Sequence, residues 1–138
     1  MNGFELASSI FGVGEMGALG TNEHAAELCV GHTTVAHVGM SERIIVLDGR
    51  EVKIAGIGYV CTAAEFRGRG YMHTLMEIAH DQARSLGHVY AMLWTGHVGL
   101  YEPLGYRHPP NLNETWYIKE LGDEGWPDSA VVNLQGTW

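Results

Sequence analysis

Arg67-Gly68-Arg69-Gly70 is the segment of this sequence best suited to do chemistry. It follows an apolar, β-branched run that ends at Thr62, and it precedes Met72, Leu75, Met76, Ala79, Ala83 and Leu86, which recur on one face of a 3.6-residue period. A helix that opens there leaves its first N–H groups without intrahelical partners and turns the positive end of its dipole toward the loop. Two glycines let the backbone come close to a ligand, and two guanidinium groups add positive charge, so the segment is suited to an anion and above all to a phosphate. Taken alone, the same four residues are equally a basic turn whose glycines serve conformation only. The loop spells neither the G-x-x-x-x-G-K-[ST] of a nucleotide P-loop nor the G-x-G-x-x-G of a dinucleotide fold, and nucleotide hydrolysis loses support.

Other side chains with chemical potential are scattered. Tyr101 lies on a short apolar stretch, where a core aromatic is the plain alternative to a functional phenol. His37 and Glu42 on one strand and Tyr59 on the next could take up a proton, but alternation alone does not say which faces a cleft. Glu42 is the carboxylate put forward as base, against the plainer reading of a solvated strand residue beside Arg43. Among 8 histidines none forms H-E-x-x-H. His73 and His80 share a helix face yet stand ~10 Å apart, too far to ligate one ion, so both read as solvent-facing and no metal is expected. His97 is a secondary candidate in a loop, and Trp94, Trp116, Trp126 and Trp138 read as core and closing-strand residues.

The elements that must position these groups follow from pattern. Glu27 to Val30, a turn at Gly31-His32, and a long strand from Thr33 to Leu47 lead to Asp48-Gly49, a hairpin signal because both turn positions favour positive φ. Glu51 to Thr62 should return antiparallel, with Gly56 and Gly58 marking a bulge or a close approach. The helix after Arg67 should end at Gly87, and His88 to Trp94 reads as a strand buried on both faces, completing a β-α-β unit. A short helix from about Val98 to Leu104 and strands at Thr115 to Leu121 and Ala130 to Leu134 close the chain. The expected fold is α+β with a mixed, mostly antiparallel sheet and flanking helices, and residues 1–138 read as a single domain with an atypical, glycine-diluted segment at 1–26.

A hydrophobic fraction of 46% and a formal charge of −8 place the chain among ordinary globular proteins with no apolar run long enough to span a bilayer. The charge argues against nucleic acid and leans toward cationic partners. No basic leader precedes the apolar residues at 1–20, so a cytoplasmic location is expected, with Cys29 and Cys61 as reduced, buried hydrophobes.

The run Val60-Cys61-Thr62-Ala63-Ala64-Glu65-Phe66-Arg67-Gly68-Arg69-Gly70 resembles the signature of GNAT N-acetyltransferases, an Arg/Gln-x-x-Gly-x-Gly/Ala core. Trp94-Thr95-Gly96 and Leu100-Tyr101-Glu102-Pro103-Leu104-Gly105-Tyr106-Arg107 resemble the motif that the same superfamily carries after its next strand, at the family's spacing. The resemblance implies acetyl-CoA as co-substrate and an acetyl group passed to a small-molecule or peptide amine without a covalent enzyme intermediate. It implies that Arg67, Gly68, Arg69, Gly70, Tyr71 and Met72 present N–H groups to the coenzyme A pyrophosphate. The pantetheine arm would lie where the strand ending at Thr62 parts from the strand at His88 to Trp94, pairing around Val60, Cys61 and Thr62. Tyr101 would give a proton to the departing thiolate. Three departures stand out: Met72 replaces the last small residue, Ala63-Ala64 replace a polar residue and proline, and the segment before the first hairpin is short. The last leads to the expectation of an acceptor site that is reduced, rebuilt, or completed in a homodimer. A non-catalytic acyl-CoA-binding module is the alternative reading. Acidity favours acceptors such as aminoglycosides or polyamines.

Overall fold

The structure, a computed structural model, describes residues 24–113 and 115–134. Most of the atypical segment at 1–26, and Trp138, lie outside the described residues. The strands are β1 (His24–Val30), β2 (Thr33–Leu47), β3 (Arg50–Thr62), β4 (Tyr90–Trp94), β5 (Trp116–Glu120) and β6 (Val132–Leu134). The helices are α1 (Tyr71–Ser85) and the single turn α2 (Val98–Tyr101), with 3₁₀ turns at Ala64–Phe66 and Glu102–Leu104. Hydrogen bonding orders the strands β1-β2-β3-β4-β5, with β6 on β2. Among the described strands β3 and β4 pair parallel, with α1 as the crossover between them, and β1–β2, β2–β6 and β4–β5 pair antiparallel, so the sheet is mixed and mostly antiparallel, as the pattern predicts.

Two compact units are present, and the long strands β2 and β3 contribute to both. The first contains residues 24–41 and 57–81. Here β1 pairs antiparallel with β2 from His24↔Met40 to Val30↔Thr33, with a bulge between Leu28 and Cys29. β2 is buried without interruption from Thr34 to Ser41, so period-2 alternation fails along this half, which is covered on both faces. Its core holds Val35, Val38, Met40, Ile57, Cys61, Leu75, Met76 and Ala79.

The face of α1 is covered unevenly, and this corrects two expectations. His80 is fully buried, not solvent-facing, while His73, seven residues earlier on the same face, is exposed. Cover is missing over the first turn and complete by the third. At the other end Leu86 is half-exposed, since the helix stops at Ser85 and Gly87 turns the chain with φ +87, its N–H on Arg84 O at 3.0 Å and the His88 N–H on Ala83 O at 3.0 Å. Cys29 is exposed too, because β1 is an edge strand with one open face, whereas Cys61 is buried as expected.

The second unit contains residues 42–56 and 82–134 of the described chain. The Asp48-Gly49 turn has φ of +49 and +79, the left-handed pair that a tight two-residue hairpin requires. β4 pairs with β3 at Ala55↔Ala91 and Gly56↔Met92 and with β5 from Tyr90↔Glu120 to Trp94↔Trp116. Tyr90 to Leu93 are buried, as a strand with a neighbour on each side should be. Trp94 at the strand end is 65% exposed, so it builds no core; Trp126 does, at 5%.

A polar relay through Asn111 ties together much of the 121–131 segment. Trp126 stands edge-on to Tyr90, with ring centroids 5.1 Å apart, and donates Nε1–H to Asn111 Oδ1 at 2.9 Å. Asn111 Nδ2 donates in turn to Pro127 O at 2.8 Å and Ala130 O at 3.0 Å. The single proton of the Tyr90 hydroxyl is shared between two acceptors, Gly125 O at 2.8 Å and Glu124 Oε2 at 3.1 Å; burial, followed by the Glu124 carboxylate, pushes this phenol up to about 12. Arg107 pairs with Glu120 at 3.2 Å and Asp128 at 3.0 Å on the exposed side.

Removing Asn111 therefore strips three partly buried hydrogen bonds at once. Asn111→Ala should cost about 2–4 kcal/mol in urea unfolding, at about 1 kcal/mol per bond plus the groups left unpaired. A loss under about 0.5 kcal/mol would show that water replaces the amide and that the relay does not order this segment.

Candidate active site

The loop between β3 and α1 is built from glycine conformation and helix-end geometry. β3 ends at Thr62, the 3₁₀ turn follows, and its closing bonds run from Phe66 N to Ala63 O at 2.9 Å and from Arg67 N to Ala64 O at 3.4 Å. Gly68 and Gly70 then take φ of +79 and +78, and a Cβ at either would meet nothing within 4 Å. Glycine is required here by the backbone angle, which an L side chain adopts at a cost, and not by crowding. The first helical bond of α1 is Thr74 N to Gly70 O at 3.1 Å, joined by Thr74 Oγ1 to the same oxygen at 3.2 Å. The N–H groups of Tyr71, Met72 and His73 precede that bond and so have no carbonyl within the helix. The first turn of α1 has no acidic residue to quench its positive end.

The two arginines are anchored to their own loop. Arg67 Nε donates to Thr62 O at 3.0 Å, and Arg69 Nη2 donates to Glu65 O at 3.3 Å with its guanidinium 5.0 Å from the Phe66 ring centre. Residues 67–70 are all exposed, so these cations and the helix end are accessible from solvent. Cys61 beside them is held as a thiol: burial pushes its pKa up to about 11, against the pull of Arg67, and at neutral pH it is not a thiolate nucleophile.

Upstream, Val60 and Thr62 are half-buried. Tyr59 has φ +51, one of two non-glycine residues among those described with positive φ. The buried His37 places Nδ1 2.8 Å from the Tyr59 carbonyl oxygen. His37 and Tyr59, two of the three groups considered as proton acceptors, are thus directly linked.

The sequence candidates fall in different units: the residues of 60–72 in the first, Glu42 and Tyr101 in the second. Tyr101 ends α2 as a buried residue, edge-on to Tyr106 with ring centroids 6.0 Å apart. Gly105, at φ +95, closes the following 3₁₀ turn, and Lys119 Nζ donates to Leu104 O at 2.7 Å beside it. Val98, Glu102, Tyr106, Arg107, His108 and Tyr117 line an open groove of about 350 Å³ in this unit. Glu42 is exposed on β2, with Oε2 3.5 Å from the buried His88 Nε2 and Oε1 3.7 Å from Lys53 Nζ. Read from sequence as either a base or a solvated strand carboxylate, Glu42 is exposed and also contacts a histidine and a lysine from other segments. His97 is exposed, its backbone N–H donating to Thr95 Oγ1 at 2.9 Å. Among the described residues no three His, Cys, Asp or Glu side chains converge as a metal site would need.

Sequence reasoning missed the Glu42–His88 contact and the His37–Tyr59 bond. Both join residues far apart in sequence, and the one signal available was a histidine at the start of the apolar run 88–94, of which the strand itself takes only Tyr90–Trp94.

The family model of the acetyltransferase (GNAT) domain matches residues 21–108. Among solved structures, a GCN5-related N-acetyltransferase from Kribbella flavida is 31% identical over 59% of this chain and 21% of its own, with a TM-score of 0.56. Eis1 from Mycobacterium abscessus superposes with a TM-score of 0.67 at 16% identity, covering 78% of this chain and 28% of its own. A GNAT family acetyltransferase from Brucella melitensis, solved in complex with acetyl-CoA, gives 0.61 at 16% identity over 90% of this chain and 71% of its own. The last two identities speak to the fold. No curated protein matches the sequence significantly. The chain spans well under a third of the Kribbella and Mycobacterium proteins. The matched segment is more than half of the 138 residues and includes both the glycine loop and the Tyr101 turn, and on that ground the chain belongs to the GNAT acetyltransferase family.

Proposed function

We propose that this protein transfers the acetyl group of acetyl-CoA to an amine by direct attack. The observation that carries the reading is the opening of α1: N–H groups of Tyr71, Met72 and His73 without helical partners, behind a glycine loop flanked by Arg67 and Arg69, in a chain of the GNAT family. Those N–H groups, with the backbone of residues 67–70, take the pyrophosphate; the helix dipole and both arginines favour the same charge. The contact at Met72 uses its N–H, so the side chain there does not compete with the anion. The pantetheine arm pairs with backbone groups around Val60 and Thr62, beside Cys61. Acetyl-CoA bound to the Brucella neighbour supports this placement by fold.

The reaction needs little covalent chemistry from the protein. The amine nitrogen attacks the thioester carbonyl, the tetrahedral intermediate collapses with cleavage of the C–S bond, and the departing thiolate takes a proton from Tyr101. The attacking nitrogen loses its proton to a base, for which Glu42 is the carboxylate proposed. Much of the rate comes from holding both reactants in the right geometry. The net charge of −8 supports a cationic acceptor such as a polyamine or aminoglycoside. The reading places the protein in the cytoplasm as one catalytic domain working in a homodimer, for which the exposed Trp94 and Leu100 supply apolar surface. No helix among the described residues is long and apolar enough to cross a membrane.

Calorimetry with coenzyme A tests the loop. Gly70→Ala should weaken binding by about tenfold or more, because forcing a Cβ into φ +78 costs about 1–2 kcal/mol and moves the N–H groups. Absence of coenzyme A binding by the folded wild type would end the enzymatic reading.

Tyr101→Phe should lower kcat about 10²-fold, in the range of a lost general acid, and leave coenzyme A affinity within about threefold. Unchanged turnover would remove Tyr101 from the chemistry.

Glu42→Gln separates base from ion pair. A base gives a loss of turnover that higher pH partly recovers, as more amine is deprotonated in solution; a group that serves only to pair with His88 gives a lower unfolding midpoint with normal turnover in the protein that stays folded.

A further inference from the structure

The bond between His37 and the Tyr59 carbonyl is not explained by strand pairing. A carbonyl oxygen can only accept, so Nδ1 of His37 is the nitrogen that carries the proton. Its acceptor belongs to a residue with φ +51, a left-handed conformation that a bulky aromatic adopts at a cost and keeps only where its surroundings hold it. Glycine stands at positions 56 and 58, but the left-handed residue is Tyr59.

Register gives the reason for the kink. The two-residue Asp48-Gly49 turn sets Leu47 opposite Arg50, and an unbroken ladder would then set Val35 opposite Thr62. The observed bond runs instead from Ala63 N to Val35 O at 2.7 Å. One extra residue in β3 between Arg50 and Ala63 accounts for the shift, as in a β-bulge, and Tyr59 is the residue of β3 with a left-handed φ. Beyond the bulge, backbone N–H groups alternate in direction along the strand. Since that of Ala63 points to β2, those of Val60 and Thr62 are directed to the other side.

Tyr59 C=O and Val60 N–H share one planar trans peptide, so they point in opposite directions and fixing one fixes the other. We propose that His37 is a positioning residue: by holding the Tyr59 carbonyl it aims the Val60 N–H at a carbonyl of the bound pantetheine arm. The proposal rests on the acetyl-CoA reading above and adds to it the side chain that sets the geometry of the arm's first backbone donor. His37 touches no reacting atom; it acts through the peptide. Its role differs from that of the proton acceptor considered at this position, because the function resides in the Nδ1 donor and not in the basicity of Nε2.

Asparagine places an amide N–H close to where Nδ1–H stands in histidine, whereas leucine fills similar space with no donor. The test compares wild type, His37→Asn and His37→Leu in calorimetric titrations with coenzyme A and with 3′-phospho-ADP, which carries the diphosphate but no pantetheine. The expected result is coenzyme A affinity about fivefold weaker in His37→Leu, about that of the wild type in His37→Asn, and 3′-phospho-ADP affinity unchanged in all three. Amide NMR should show the Val60 signal moving on addition of coenzyme A in the wild type and His37→Asn, and staying in place in His37→Leu. Equal coenzyme A affinity in wild type and His37→Leu overturns the proposal and leaves the acetyl-CoA reading intact. Parallel weakening of both ligands in His37→Leu also overturns it, since the defect is then not confined to the arm. A loss in His37→Asn as large as in His37→Leu overturns the donor role in favour of a need for the ring. If the wild type binds neither ligand, both the proposal and the acetyl-CoA reading fail.

Discussion

A helix cannot satisfy its own first N–H groups, and in α1 nothing in the helix or its first turn does so. Gly70 accepts both bonds of Thr74, Tyr71 to His73 precede the ladder, and no carboxylate stands in the first turn to cap the end. Gly68 and Gly70 keep the approach open through left-handed angles, and Arg67 and Arg69 are tied back to the carbonyls of Thr62 at the end of β3 and Glu65 in the turn. A buried helix end in this condition would be destabilising. Here it is exposed, where an anion can meet it, and the functional reading follows from that constraint.

The same demand for paired backbone groups governs β3. Its Asp48-Gly49 turn fixes the register with β2, and a residue in excess must be absorbed before Ala63 reaches Val35. The strain at Tyr59 is local, of the order of a single hydrogen bond or two, and a buried imidazole on β2 is placed to hold it. Strand end, 3₁₀ turn and helix start thus follow one another along residues 57–74, pinned at Ala63, Phe66, Arg67 and Thr74 by backbone bonds.

Histidines illustrate how chemistry and packing share a residue type in this chain. His37 and His88 are buried with partners on other segments, His80 is buried in α1, and His73 and His97 lie exposed. Periodicity predicted equal exposure for His73 and His80, and it failed because a helix face is a property of the helix while cover is a property of what lies over it. Trp94 and Leu86 misled for the same reason: each falls at the end of its element, where the apolar pattern continues after the neighbours have stopped. Cys29 sits on an edge strand, which no count of cysteines reveals.

What the sequence determined by itself is local: the β2–β3 hairpin through Asp48-Gly49, the glycine-arginine loop, the period of α1 and its stop at Gly87, and the order of strands around it. Those features rest on φ preferences and short-range spacing, which a single stretch of chain encodes. Only the tertiary structure decided that His37 reaches the Tyr59 carbonyl, that Glu42 meets His88 and Lys53, and that Asn111 joins Trp126 to the 127–130 backbone. The contacts to His37 and Asn111 close loops of 15 to 22 residues, and that from Glu42 to His88 a longer one. Their formation depends on where whole elements pack, a property of the folded chain that no window of the sequence contains.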